Sequence, residues 1–284
     1  MVNAIFLCCA VIGISAQNII KKFYNGRANN RGVLIFGAVS VLSACLFFVA
    51  SSGFKLDFKA EIIPYAMGFA LSYGTAIVTS FLAIKWGALS LSSLITSYSL
   101  IIPTFYGLLF LDESTEVTFW IGLALLCVSL FMINSKKTEV KISLRWIIAV
   151  ALAFFGNGVC SAVQNAHQRK FLGEYKSEFM IMALLSVAVV LFVAAFFAER
   201  SDIFTSLRRG GYLMVLCGIA NGAVNLFVML LATRMKASIM YPVISAGGII
   251  LTWGVSRFMY KEKLTLGQNL ALVFGILAVV LMNL

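Results

Sequence analysis

The sequence predicts an all-α integral membrane protein whose ten transmembrane helices form two inverted-topology five-helix repeats. Three observations lead there. Of the 284 residues, 61% are hydrophobic and only 12% charged, with a mean hydropathy of +0.99. A water-solvated domain needs far more polar surface, so lipid is the solvent for most of this chain. Apolar runs of membrane-crossing length then recur ten times, since a hydrocarbon core about 30 Å thick takes roughly 20 helical residues. Finally, the second half of the chain repeats the helix ends and rare polar residues of the first.

The spans fall at about 3–22, 31–52, 60–84, 88–110, 116–134, 143–168, 177–198, 210–233, 236–259 and 265–284. Most gaps are a few residues long, which makes sequence neighbours antiparallel hairpins. The runs lack alternating polarity and exceed barrel-strand length, which excludes a β-barrel. Span 1 begins MVNAIFLCCAVIGISAQ, with no basic stretch and no small-residue cleavage site. It reads as a retained helix and not a signal peptide. It closes on Gln17-Asn18 and then Lys21-Lys22; lysines at a helix end reach for the headgroups.

Span 3 places Ser72, Thr75 and Thr79 on one face, and span 4 places Ser92, Thr96, Ser99, Pro103 and Gly107 on one face before closing on Asp112-Glu113. Trp86 and Trp146 read as members of the interfacial aromatic belt. The charged stretch 135–145 links the halves, giving repeats over 1–137 and 138–284. Span 6 carries Asn157, Ser161, Gln164 and Gln168 along one side, with Asn165 and the single histidine, His167, close by. Span 8 carries Asn221 and Asn225 one turn apart, beside the small-xxx-small pair Gly218 and Gly222. Span 9 aligns Tyr241, Ser245, Gly248, Thr252 and Ser256, has Trp253 at mid-span as core or cavity wall, and closes on Glu262.

A shift of 149 positions lays 82–134 over 231–283 without a gap: Lys85 meets Arg234, Thr96 meets Ser245, Glu113 meets Glu262 and Asn134 meets Asn283. The two Gln-Asn pairs, 17–18 and 164–165, extend the match to the first helix of each half. Five helices is an odd number, so the second half enters the membrane from the opposite side. Secondary transporters use this plan, with the substrate near the midplane between the halves.

Amides and hydroxyls do not face hydrocarbon without partners, so the polar stripes point inward. For Ser, Thr and Gly the packing-seam reading is favoured, because small residues allow helices to approach closely. For the bulky amides Gln17, Asn18, Gln164, Asn165, Asn221 and Asn225 a hydrated cavity is favoured, since large amides pack poorly in a seam. Thr96, Tyr241, Ser245 and Trp253 join them as candidate substrate contacts. Lys22 and His167 are candidates for attracting anionic groups, although a lysine at a helix end and a lone histidine beside Arg169 and Lys170 are ordinarily interfacial residues.

Much else is excluded. The net charge of +11 sits in the short gaps between spans and reads as a topology signal. No basic patch is interleaved with stacking aromatics, so nucleic acid is not a partner. The six cysteines lie in apolar segments with no metal-ligand spacing; they read as packing residues. No metal site and no cofactor are expected. Carboxylate pairs, a Ser/His/Asp set and a phosphate-binding loop are all missing, so the chain is not read as an enzyme. No Asp or Glu lies mid-span, which argues against proton-coupled export of lipophilic cations.

These features together resemble the drug/metabolite transporter superfamily, EamA type. The resemblance rests on Lys22 ending span 1, on the Lys85-Trp-Gly-Ala and Arg234-Met-Lys-Ala links into spans 4 and 9, on Pro103, and on the Phe-Leu-Asp-Glu113 and Met-Tyr-Lys-Glu262 span endings. It covers the full length and implies a cavity lined by spans 3, 4, 8 and 9 with parts of 1 and 6. Thr252 stands where the repeat would carry a second proline, and Lys and Arg concentrate in the gaps after odd-numbered spans. That distribution puts both termini outside, whereas many members of the superfamily keep them in the cytoplasm; the orientation stays open.

The expected function is secondary transport, in the direction of efflux, of a small polar or amphipathic metabolite of amino-acid-like, anionic or zwitterionic character. The expected setting is multi-pass in a bacterial cytoplasmic membrane. The expected partners are that small molecule and the lipid bilayer, with a homodimer left open. The alternative is a flippase component for a lipid-linked substrate, or a membrane scaffold that transports nothing.

Overall fold

A computed structural model describes residues 2–28, 31–86, 95–96, 98–111, 116–133, 143–260 and 266–282. Every regular element among them is helical. In chain order the α-helices are α1 (Val2–Ala28), α2 (Val33–Ser51), α3 (Ile63–Trp86), α4 (Ile101–Phe110), α5 (Val117–Ile133), α6 (Leu144–Lys170), α7 (Lys176–Ala198), α8 (Ile203–Ala232), α9 (Ala237–Tyr260) and α10 (Leu266–Met282). Single 3₁₀ turns at Ala60–Ile62 and Tyr98–Leu100 lead into α3 and α4. Among the described residues, six helical segments are long and apolar enough to cross a membrane: Val2–Ala28, Val33–Ser51, Ala60–Ser80, Leu144–Lys170, Lys176–Ala198 and Ile203–Ala232. The chain is therefore an all-α protein fit for multi-pass insertion.

The side chains that face outward agree with a lipid surround. Leu71 is 75% exposed and Phe197 81%, values that a water-soluble surface avoids in such number. Helix boundaries follow most of the expected spans, with three differences, the first being that α1 continues past Lys21-Lys22 to Ala28. Helix α8 begins at Ile203, well before the apolar run, because an amphiphilic turn containing Arg208 and Arg209 continues the helix beyond the greasy stretch. In the described part of span 4, the 3₁₀ turn Tyr98–Leu100 runs directly into α4. Pro103 lacks an N–H and its ring cannot follow a regular turn, so it falls in the first turn of α4, where no helical bond is lost. The Ser99 hydroxyl donates to the Thr96 carbonyl at 2.6 Å. The Asp112–Glu113 and Glu262 endings, and the link between the halves as far as 142, lie outside the described residues.

Glycines set the closest approaches. A Cβ at Gly218 would lie 2.3 Å from the Ser40 carbonyl oxygen, and one at Gly222 would lie 2.6 Å from the Phe47 ring. The small-xxx-small pair is thus the seam on which α8 crosses α2. Gly156 performs the same task between α6 and α3, 2.7 Å from the Ser72 carbonyl. Trp146 is buried with Ala83, Ala149 and Val150, whereas Trp86 is exposed.

The packing partners are specific. Helix α1 lies along α8, α3 along α6, α2 against both α7 and α8, α3 against α7, α5 against α10, and α4 and α9 against each other, while α9 also meets α1 and α4 also meets α6. Directions follow from paired positions. Gly13 meets Val224 and Gly210 meets Tyr24, so α1 and α8 are antiparallel; Gly68 meets Val163 and Gly156 meets Ala76, so α3 and α6 are antiparallel.

Carboxylates of α7 hold the start of α2 and the connection that follows α2. At the start of α2, Gly32 is in the left-handed region (φ 64°) and supplies no capping side chain. The free amides of Leu34 and Ile35 instead donate to the two oxygens of Glu199, each at 3.0 Å, at the end of α7. An anion at a helix N-terminus meets both the unpaired N–H groups and the positive end of the dipole. At the other end, Glu178 in the first turn of α7 accepts from the Asp57 amide at 3.1 Å. The start of α2 therefore meets the end of α7, and the connection after α2 meets the start of α7, which makes the two helices antiparallel.

Replacing Glu199 with Ala strands two buried donors, at a cost of about 1–3 kcal/mol. The expected outcome is a fall of several degrees in the melting temperature of the purified protein. Arg31→Ala is the contrast. Its pair with Asp202 spans 3.7 Å and its side chain is 72% exposed, so melting should move by about one degree or less.

Candidate functional site

Four of the amides that the sequence singled out meet at the centre of the bundle. Asn221 Nδ2 donates to Gln17 Oε1 at 3.1 Å and to the Tyr73 hydroxyl at 3.0 Å. Asn225 Nδ2 donates to the Asn221 carbonyl at 2.9 Å and to Asn221 Oδ1 at 3.0 Å. Gln164 Nε2 donates to Asn225 Oδ1 at 3.1 Å. Helices α1, α3, α6 and α8 are thereby tied into one network. It forms because Asn221 and Asn225, four apart, sit one above the other on α8, while Gly13 lets α1 approach α8 and Gly156 lets α6 approach α3. Gln17 and Gln164 are buried, and Asn221, Asn225 and Tyr73 are half-buried.

No charged side chain takes part in these bonds. The network can offer amide N–H donors, amide oxygens and one phenolic hydroxyl, which suits hydrogen-bonding recognition of a polar guest.

Around this centre the other candidates are distributed unevenly. Tyr241 is buried and its hydroxyl donates to the Ser161 carbonyl at 2.9 Å, joining α9 to α6. Ser245 is buried on the next turn of α9. Thr96 is half-buried beside the 3₁₀ turn, where Asn157 Nδ2 donates to Ser99 Oγ at 2.6 Å. Asn165 is fully buried, and neither its amide nitrogen nor its amide oxygen has a partner among the described residues. His167 is likewise fully buried, away from the network. It stacks on Phe179 (4.2 Å between centroids), packs edge-on to Tyr65 and takes a 2.8 Å bond from Gln168. It is enclosed by the rings of Tyr65, Phe171 and Phe179. The side chains of Asn18, Lys22 and Trp253 lie outside the described residues.

Tyr73 was missed by sequence reasoning. Its neighbours Ser72, Thr75 and Thr79 drew attention as the polar face of α3, yet each hydroxyl donates to the carbonyl four residues back, at 2.8, 2.7 and 2.6 Å. Such back-bonding satisfies a hydroxyl within its own helix. A tyrosine cannot reach its own backbone in this way, and that difference was the available signal. Among the described residues no cluster of His, Cys, Asp or Glu is placed to hold a metal ion.

No protein-family model matches the chain, and no curated protein does. Solved structures do, in 28 chains. One is a crystal structure described only as "Crystal structure of protein", similar at a TM-score of 0.77 over 98% of this chain and 95% of its own, with 10% sequence identity. The likeness speaks for the fold alone. This helix arrangement is one that a crystal has shown for another sequence.

Asn221 bonds three partners, so replacing it with Leu leaves Gln17, Tyr73 and Asn225 short of hydrogen bonds at once. The expected loss is about 1–3 kcal/mol. Adding Gln17→Leu should recover part of it, with a coupling of about 0.5–1.5 kcal/mol in a double-mutant cycle of thermal or denaturant melting. Strict additivity of the two changes would show that the two amides do not interact.

Proposed function

We propose that the chain is a secondary transporter of the EamA type within the drug/metabolite transporter superfamily. In this reading ten spans in two inverted five-helix halves move a small polar or amphipathic metabolite outward across a bacterial cytoplasmic membrane by alternating access. The observation that carries the reading is the amide network, to which each proposed half contributes two helices: α1 and α3 from the first, α6 and α8 from the second. Gln17, Tyr73 and Asn221 each lie within about four residues of their helix centres, or about 6 Å of axial rise. A polar group at mid-depth between inverted halves is the expected place for a carrier's substrate.

The packing scheme supports the repeat. Exchanging each helix of the first half with its counterpart five places later turns α1 on α8 into α6 on α3, α2 on α8 into α7 on α3, and α1 on α9 into α6 on α4. The pairs α2 with α7, α4 with α9 and α5 with α10 map onto themselves. Each of these contacts is made. The counterparts α2 and α7 also run in opposite directions, as inversion of one half demands.

In the unloaded state the amides satisfy one another. A guest with its own donors and acceptors competes for them, and exchanging amide–amide for amide–guest bonds lets the halves separate on one side without leaving polar groups bare in a low-dielectric interior.

A thermal-shift screen of polar metabolites against the purified protein tests this reading. At least one compound should raise the melting temperature, and Gln17→Ala with Gln164→Ala should weaken that compound's apparent affinity by about tenfold or more, the size of one lost hydrogen bond to a buried partner. Unchanged affinity in the double variant would remove the network from the transport site. A screen with no stabilising compound would favour the scaffold.

A further inference from the structure

A second polar feature lies at one end of the bundle. Between the α2–α3 and α6–α7 connections is an open cleft of about 310 Å³, roughly the volume of ten water molecules. Lys59 immediately precedes the span Ala60–Ser80, and Lys170 closes the span Leu144–Lys170. The cleft therefore sits where spans end, at the level of the headgroups if the chain crosses a bilayer.

Its charges are balanced and held in place. Lys59 and Lys170 line it together with Glu61 and Glu174. The Lys59 ammonium sits 4.6 Å from the centre of the Tyr175 ring, and that of Lys170 sits 5.4 Å from Tyr65. Hydrogen bonding to Tyr175 raises the pKa of Lys59 above its ordinary value, keeping it cationic. The Tyr65 and Phe171 rings both pack on the fully buried His167, so the aromatic floor has a fixed base. Leu172 and Tyr175 adopt positive φ (51° and 53°), a conformation bulky residues avoid and one that tends to persist where geometry is functionally constrained. Leu172 is also 86% exposed and Phe58 52%, which leaves apolar side chains beside the polar cleft.

We propose that this cleft seats the headgroup of a zwitterionic phospholipid bearing a primary ammonium, with its phosphate between Lys59 and Lys170, its ammonium on Glu61 and Glu174, and an acyl chain along Leu172. Charge selects this occupant. An anionic headgroup such as phosphatidylglycerol brings hydroxyl donors but no cation to the two carboxylates, and a choline headgroup has no N–H to donate. A phosphoethanolamine group supplies one anion for the two lysines and three N–H donors for the two carboxylates. The inference requires only that the chain crosses a bilayer; it does not depend on transport.

Native mass spectrometry of the full chain in detergent tests it, with phosphatidylethanolamine, phosphatidylcholine and phosphatidylglycerol of matched chains as probes. The wild type should hold the ethanolamine lipid about tenfold more tightly than the other two. Lys59→Ala with Lys170→Ala should reduce that preference to about twofold or less. Glu61→Gln with Glu174→Gln should reverse it in favour of phosphatidylglycerol. These four side chains are exposed, and unchanged melting temperatures would show that the variants fold. Equal retention of all three lipids by the wild type, or an unchanged order in both pairs of variants, would overturn the site. Glycerophosphoethanolamine or inorganic phosphate binding as tightly as the intact lipid would overturn the lipid assignment and give the cleft to a soluble phosphate compound.

Discussion

An amide taken out of water must find a partner, and in a bundle solvated by lipid the only partners are other side chains, the backbone or a guest. The arrangement of this protein turns on that requirement. Gln17, Gln164, Asn221 and Asn225 come from three helices and are joined by Tyr73 from a fourth. Their bonds fix how deeply each helix sits relative to the others. Glycines at 13 and 156 permit the approach that the bonds require. The amides specify the register and the glycines make it reachable.

The periphery is held differently. Helix α7 holds the start of α2 through Glu199 and the connection after α2 through Glu178. The two helices bury large apolar side chains such as Phe48, Phe179, Leu184 and Leu191 between themselves and their neighbours. Apolar contact with charge-assisted hydrogen bonds makes a stiff pair, whereas a neutral amide network exchanges partners at little cost, because each bond contributes only about 1 kcal/mol net. Stiffness outside and exchangeable polarity inside is the division of labour that an alternating-access carrier needs. It is also why the centre, and not the stiff pair, is the place to look for a guest.

Much of this was legible in the sequence. Hydropathy and length placed most of the helices, because a membrane-crossing rod is bounded by the thickness of the bilayer and not by subtle capping. The twinned Gln-Asn pairs and the Asn221/Asn225 step pointed to the residues that meet, since bulky amides in apolar runs have few alternatives to meeting one another. Other features depend on tertiary geometry. Tyr73 differs from the hydroxyls beside it in being unable to bond its own helix, but that its partner is Asn221 depends on how α8 packs. The burial of Trp146 depends on its fit against Ala83, and the 3₁₀ turn ahead of Pro103 on which turn that proline occupies. Asn165 differs from Gln164 by one position, and that rotation of about 100° separates a bonded amide from one with no partner.

The central claim is that water reaches the amide network from each side of the membrane in turn. In a chain whose six native cysteines have been replaced, a single cysteine at position 225 can be exposed to a membrane-impermeant thiol reagent in sealed right-side-out and inverted vesicles. Alternating access requires modification from both faces, slowed by whichever metabolite stabilises the protein. Modification from neither face would mean a dry seam, and modification from one face only would mean a fixed pocket; either result would contradict the account.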